Sequence, residues 1–460
     1  MPDFRDVVIL LPGITGSVLA NKAGKEVWAP SGGAIWRVIT SFGGSIKELE
    51  LAGDDVDDGV TAPRLIPDAT LVPGLVKIDG YTRIERYLTE QLGVVAGRNY
   101  FPFPYDWRRD NRVIARRLES SALGWLKAWR ESSGHADAKL VLIGHSMGGL
   151  IARYFIECLG GWKETRHLIT LATPHRGSVN AVSFIENGMK KGIGPLGIDL
   201  SPLLRSLTSV YQLLPIYPCV ADGAAGEMQR VAQAAQAGLL GHVDVARAVA
   251  ARAFHQEIQD AQASNAKDDA YRTRGPTLVP IVGIEQPTAQ SVRVDGGKMT
   301  ILDSYDGEAF GGDGTVPRMS ATPIELGDAA REVYAAETHG AVQNADGTLA
   351  NVKGVLTREK IDFRKFQRAA DAAMLTLALD DVVLPGAPLS LRVRPSEGNP
   401  KIAVTLTPLA GGTASEEVLT RDAEPGWQQG TFDLAPGVWR VTAHAEGATS
   451  VSDLVVVAAP

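Results

Sequence analysis

The chain has 460 residues, 45% hydrophobic and 22% charged, a globular composition long enough for more than one core. A formal net charge of −7 without any Lys/Arg block argues against non-specific nucleic-acid binding and against general attraction to anionic membranes. The two cysteines, Cys158 and Cys219, make neither a disulfide framework nor a four-ligand zinc pattern, and they point to a reducing compartment.

In chain order, the N-terminus "MPDFRDVVILLPG" has no basic region leading into a long apolar segment and a cleavage site. It reads as a mature start running into a buried strand, "VVILL" (7–11). The turn "LPGITGS" follows, with backbone N–H groups free to hold an anion. It has no P-loop lysine and does not fit G-x-G-x-x-G. Asp110 is a helix cap, and Ile114, Leu118, Ala122, Trp125 and Trp129 form one helical face behind it. The buried strand "LVLIG" (140–144) leads into "GHSMGG" and a helix with Ile151, Phe155 and Cys158 on one stripe, ending at Gly160-Gly161. "HLITLA" (167–172) is the next strand.

Strands alternating with helices predict an α/β domain. Residues from about 180 to 275 are Ala-rich helix and irregular apolar segments, read as a mostly helical cap inserted between core strands. The most apolar stretch, 193–220, is interrupted by Asp199, Arg205 and prolines, so no segment is predicted to span a bilayer. Strand patterns resume at "TLVPIVGI" (277–284) and in "REVYAAETHG" (331–340). A helix is expected over "EKIDFRKFQRAADAAMLTLAL" (359–379). From 380 to 460, alternating segments between Gly/Pro turns predict a small Ig-like β-sandwich. The expected domains are therefore 1–379, with a lid stretch at about 25–55 and the cap, and 380–460.

The strongest chemical signal is G-x-S-x-G at Gly144, Ser146 and Gly148, between a buried strand and an amphipathic helix. That is the setting of a nucleophile elbow, whose small flanking residues let the chain turn sharply and leave the Ser146 hydroxyl exposed. A serine hydroxyl needs a base. Of eight histidines, His339 in "ETHG" lies late in the chain after the last core strand, where such a fold carries its base. His175 precedes every plausible acid, and His444 falls in the sandwich. Asp303, Asp306, Glu308 and Asp313 are all open as the acid, with Asp313 standing in the Gly-rich turn "GGDGTVP". The early turn at Pro12-Gly13-Ile14 suits an oxyanion donor at Ile14, beside the N–H of Met147 that follows the nucleophile.

Six stretches together resemble, in content and order, the lecithin:cholesterol acyltransferase family, which includes phospholipid:diacylglycerol acyltransferases and lysosomal phospholipases. They are "LPGITGS", "FPYDWR" (103–108), "GHSMGG", "ATPHRGS" (172–178), "SVYQLLP" (209–215) and "GDGTVP" (312–317). The resemblance implies an α/β-hydrolase fold and selects Asp313 as the acid partner of His339. It assigns the oxyanion turn to the early "PG", and it implies an acyl-serine formed from a glycerolipid ester and passed to water or an alcohol. Asp106 and Arg108 are expected to form a buried structural pair. Many relatives close a lid with a disulfide. Here "KEVWAPSGGAIWRVITSFGG" has no cysteine, and its Trp28 and Trp36 are expected either to cover the substrate pocket or to enter a lipid interface.

The expectation is a cytosolic serine acyl hydrolase or acyltransferase, at most peripheral to membranes, using no metal or organic cofactor. Its partners would be a lipid ester and no nucleic acid, with the sandwich open to a protein partner. The rival readings are an esterase for soluble or polymeric esters and a non-catalytic adaptor on a hydrolase scaffold.

Overall fold

Along "VVILL", Val7, Ile9 and Leu11 point to one side and Val8 and Leu10 to the other, because successive side chains of a strand alternate. All five are fully buried, so this strand needs cover on both faces. The computed structural model describes residues 4–29, 49–51, 53–54, 57–67, 70–72, 76–191, 198–224, 226–329, 332–357, 373–384 and 386–458. The core strands are β1 (Val7–Leu11), β2 (Tyr100–Pro102), β3 (Leu140–His145), β4 (Thr165–Leu171), β5 (Thr277–Gly283) and β6 (Val333–Ala335). They form one parallel sheet in the order β6-β5-β4-β3-β1-β2.

Five helices frame the sheet and its site: α1 (Thr82–Leu92), α2 (Asn111–Ser133), α3 (Met147–Cys158), α4 (Val245–Asn265) and α5 (Asp346–Thr357). Ile114 and Leu118 of α2 and Leu150 and Ile151 of α3 share a core with Val7, Ile9 and Leu11. Ile84 and Leu88 of α1 and Leu349 and Val352 of α5 cover Val8 and Leu10 from the other side. Helix α2 begins where its cap predicts: Asp110 Oδ1 accepts from the Arg112 N–H at 2.7 Å, a contact worth about 1 kcal/mol at such positions.

Between β4 and β5 lie the helices Val179–Glu186, Ser201–Ser206, Thr208–Tyr211 and Val231–Gln236, then α4 and Asp269–Arg274. Helix α4 packs on α3. The insertion also contains strand Val220–Asp222, which pairs with Ser291–Asp295 of a hairpin completed by Lys298–Leu302, beyond β5. The sequence reading missed this hairpin, although "VDGGKM" carries its turn signal. Gly296 and Gly297 both have positive φ, 55° and 83°, which such a two-residue turn requires.

The C-terminal strands β7 (Ala373–Leu379), β8 (Leu389–Pro395), β9 (Ile402–Pro408), β10 (Gln428–Phe432), β11 (Gly437–Ala445) and β12 (Val451–Val457) are the longer strands of two five-stranded sheets, which the short strands Val382–Val383, Ser415–Val418, Thr420–Arg421 and Ala448–Thr449 complete. Leu389, Leu391 and Val393 face Ile402, Val404 and Leu406 across one apolar core, as the alternation predicts. One expectation fails here. Residues 373–379, read as the end of a helix, are strand β7, paired antiparallel with β8. The sandwich thus opens at Ala373 rather than 380. "AMLTLAL" is apolar enough for either state, and the tertiary partner decides. The rest of that predicted helix, 359–372, lies outside the described residues.

Candidate active site

Ser146 ends β3 and starts α3 with φ 51° and ψ −124°, a backbone state that costs a non-glycine residue about 1–3 kcal/mol. Its surroundings enforce the turn. A Cβ on Gly144 would come within 2.6 Å of Gly149 backbone, and one on Gly148 within 2.5 Å of the Pro12 carbonyl oxygen. The elbow therefore needs glycine at both positions and packs directly on the Pro12-Gly13 turn.

His339, in the loop after β6, places Nε2 2.9 Å from the Ser146 Oγ and Nδ1 2.8 Å from Asp313 Oδ2. Asp313 lies in the loop after β5 and is 1% exposed. Its other oxygen, Oδ1, accepts from the Thr315 and Val316 N–H groups at 2.9 and 2.7 Å. A second tie between the loops runs from the His339 N–H to the Asp313 carbonyl, 2.8 Å. Gly283, the last residue of β5, makes room for the acid: a Cβ there would stand 2.4 Å from the Asp313 Cβ. The structure thus brings together Ser146, His339 and Asp313, and leaves Asp303, Asp306 and Glu308 without a contact to His339.

The early turn is held from several sides. Tyr105 Oη donates to the Pro12 carbonyl at 2.6 Å, and the Gly13 N–H donates to Tyr81 Oη at 2.8 Å. Trp28 Nε1 donates to the Thr15 carbonyl at 3.0 Å, and its ring meets Trp107 edge to face at 5.1 Å. The next N–H, that of Ile14, has no hydrogen-bond partner among the described residues. Nor does that of Met147, which opens α3 and so has no helical acceptor. Two unspent donors flank the serine.

One expectation about aromatics changes. Trp28 is 2% exposed and serves as a strut beneath the Pro12–Thr15 turn, so it enters no lipid interface. Trp36 lies outside the described residues, with most of the predicted lid. "FPYDWR" proves to be a second strut. Arg108 is fully buried and holds Asp106 through Nε–Oδ1 and Nη2–Oδ2, both 2.8 Å, as the sequence predicts. The preceding Tyr105 and following Trp107 then reach Pro12 and Ser17.

His145, the residue just before the nucleophile in G-x-S-x-G, links the early turn to the loop of His339. Its Nε2 bonds the His339 carbonyl at 3.0 Å and its Nδ1 meets Tyr81 Oη at 2.8 Å. A carbonyl can only accept, so Nε2 carries the proton and the bare Nδ1 accepts from the Tyr81 hydroxyl. Burial, reinforced by the His339 charge, pulls the His145 pKa down to about 3 and keeps the ring neutral. One chain of hydrogen bonds therefore runs from the Gly13 N–H through Tyr81 and His145 to the base loop. No motif rule announces it, because it joins residues 68, 64 and 194 positions apart. His175 is buried against Thr170 Oγ1, 3.3 Å away, and has no contact with Ser146. Among the described residues, no group of three or more His, Cys, Asp or Glu side chains is arranged to hold a metal ion.

The lecithin:cholesterol acyltransferase family model matches residues 75–267. No curated protein matches the sequence. Similar solved structures include the Bacillus licheniformis lipase BlEst2 in mature form, at 14% identity over 77% of this chain and 94% of that one, TM-score 0.31. Its propeptide form is 12% identical over 99% and 94%, TM-score 0.34. The phospholipase PlaB from Legionella pneumophila, in complex with thio-NAD, is 11% identical over 98% and 89%, TM-score 0.21. At such low identity and superposition these likenesses say nothing of substrate. The parallel sheet, the elbow between β3 and α3, the order of the motifs and the family match agree: this chain has the α/β-hydrolase fold and is similar to the lecithin:cholesterol acyltransferase family.

Proposed function

We propose that the protein is a serine-dependent acyl hydrolase or acyltransferase acting on glycerolipid esters. The observation that carries this reading is the connected Ser146–His339–Asp313 relay beside two free backbone donors. The match to a lipid-active family supports the choice of a lipid ester.

In this reading Ser146 Oγ attacks the ester carbonyl while His339 Nε2 takes its proton. Asp313, already fixed by two N–H groups, holds Nδ1 protonated and stabilises the imidazolium. The negative oxygen of the tetrahedral intermediate is held by the Ile14 and Met147 N–H groups, each worth about 3–4 kcal/mol in comparable sites. His339 returns the proton to the leaving alkoxide, which departs as the deacylated lipid and leaves an acyl-serine. Water or a lipid alcohol, deprotonated by His339, then attacks the acyl-serine carbonyl and restores the free hydroxyl.

The test uses mixed phospholipid vesicles containing a long-chain alcohol, with mass spectrometry of all products. Lysophospholipid formation that falls by about 10⁴-fold or more in Ser146→Ala is expected. A matching new alcohol ester would make the enzyme a transferase. Intact lipids from protein that still reacts with a fluorophosphonate would refute the lipid reading and leave an esterase for soluble esters.

A further inference from the structure

His339 is held from inside by Asp313 and His145, and the residues on either side of it are held by the sandwich. Strand β12 pairs with β11 along its length but meets Val382–Val383 only at Val456 and Val457, which leaves its other edge open near Ser452. The base loop occupies that edge. Thr338 Oγ1 donates to the Ser452 carbonyl at 3.1 Å. A backbone group of the sandwich is thus spent on the residue preceding His339. Ser452 is itself fixed to β11 by the Thr442 Oγ1–Ser452 Oγ bond, 3.0 Å.

A second fastening lies on the other side of the histidine. Arg440, on β11, forms an ion pair with Asp79. The Asp79 N–H donates to the Gly340 carbonyl at 2.8 Å, and Asn344 Nδ2 donates to the Asp79 carbonyl at 2.7 Å. The Arg440 guanidinium therefore holds a residue that in turn holds the position after His339. Asp79, Thr338, Gly340, Arg440 and Ser452 all line one small cleft where the two domains meet.

Resting on the catalytic reading above, we propose that the C-terminal sandwich is a working part of the active site, and that Arg440 and the Thr338–Ser452 contact are positioning elements for the base. A free β-strand edge is a pairing hazard that folds cover with a loop; here the covering loop is the one that carries the base. A displacement of about 1 Å at a reacting group can cost about 100-fold in rate, so fastening on both sides of His339 bears on turnover directly.

The experiment uses the full chain and a short-chain p-nitrophenyl ester, with kcat, KM, fluorophosphonate labelling rate and melting temperature measured together. Arg440→Gln and Thr338→Val are each expected to lower kcat and labelling by about tenfold with KM within about twofold. Arg440→Lys, which keeps the charge on Asp79, is expected to recover most of the loss. Arg392→Gln, which removes the Asp422 and Glu424 pairs on β8 of the opposite sheet, is the control and is expected to keep wild-type kcat. The proposal is overturned if Arg440→Gln and Thr338→Val lower only the melting temperature, or if Arg392→Gln lowers kcat as much as they do. Should Arg440→Gln fail to fold, Thr338→Val alone decides. Wild-type protein that neither turns over the ester nor reacts with the probe would instead refute the catalytic reading itself.

Discussion

Ser146 sits in a strained turn for which Gly144, Gly148 and Gly13 leave room, and that turn aims its hydroxyl at His339. The same exactness extends to the acid. Asp313 spends Oδ1 on two N–H groups and has only Oδ2 left for His339. An asparagine there could keep its carbonyl on Thr315 and Val316, but it would then turn an N–H₂ toward Nδ1. Only a bare Nδ1 can accept from it, so the proton moves to Nε2, where it cannot take one from serine. Asp313→Asn is expected to fold normally, as read by its melting temperature, and to lose about 10³- to 10⁴-fold in kcat. Retention of more than a tenth of wild-type kcat would remove Asp313 from the relay.

At the scale of elements, legibility followed locality. Strands β1, β3, β4 and β5 were readable because each is a short apolar run whose two faces are both covered. The elbow was readable because its constraint lies within five residues, from Gly144 to Gly148. The fold then set the order serine, acid, base along the chain and pointed to His339, while Asp313 was picked out from its acidic neighbours only by the family resemblance. Strand β7 was misread because seven apolar residues fit a helix or a strand, and only β8 tells them apart. The service of Tyr81, Tyr105 and Trp28 beneath the Pro12–Thr15 turn, and of His145 behind His339, was hidden for a related reason. Each acts through a contact distant in sequence, with no spacing to betray it.

The base loop also carries a titration that can be followed as stability. Burial, with Asp79 and Asp346 adding like charge and Arg83 opposing them, pushes the Glu337 pKa up to about 8, against an ordinary 4.5. The folded state therefore binds the proton that the unfolded state has lost between those values. Its contribution is complete below pH 4.5 and is lost as pH rises through about 8. Glu337→Gln does not titrate. Its melting temperature relative to wild type is expected to rise from pH 5 and to level off above about pH 8. A difference constant across that range would mean that Glu337 ionises normally in the fold.

Across the whole molecule, the two domains meet at the loop most sensitive to position. The parallel sheet carries Ser146 at the end of β3, His339 in the loop after β6 and Asp313 beyond the hairpin that follows β5, with β4 lying between β3 and β5. The inserted helices pack on α3, and the sandwich closes the far side of the base loop. All of this rests on Ser146 being the nucleophile. The most direct measurement is therefore peptide mapping by mass spectrometry after reaction with a fluorophosphonate. The account predicts a single adduct on the peptide carrying Ser146, formed far more slowly in Asp313→Asn and absent from Ser146→Ala. An unmodified Ser146, or an adduct on another serine that persists in Ser146→Ala, would contradict it.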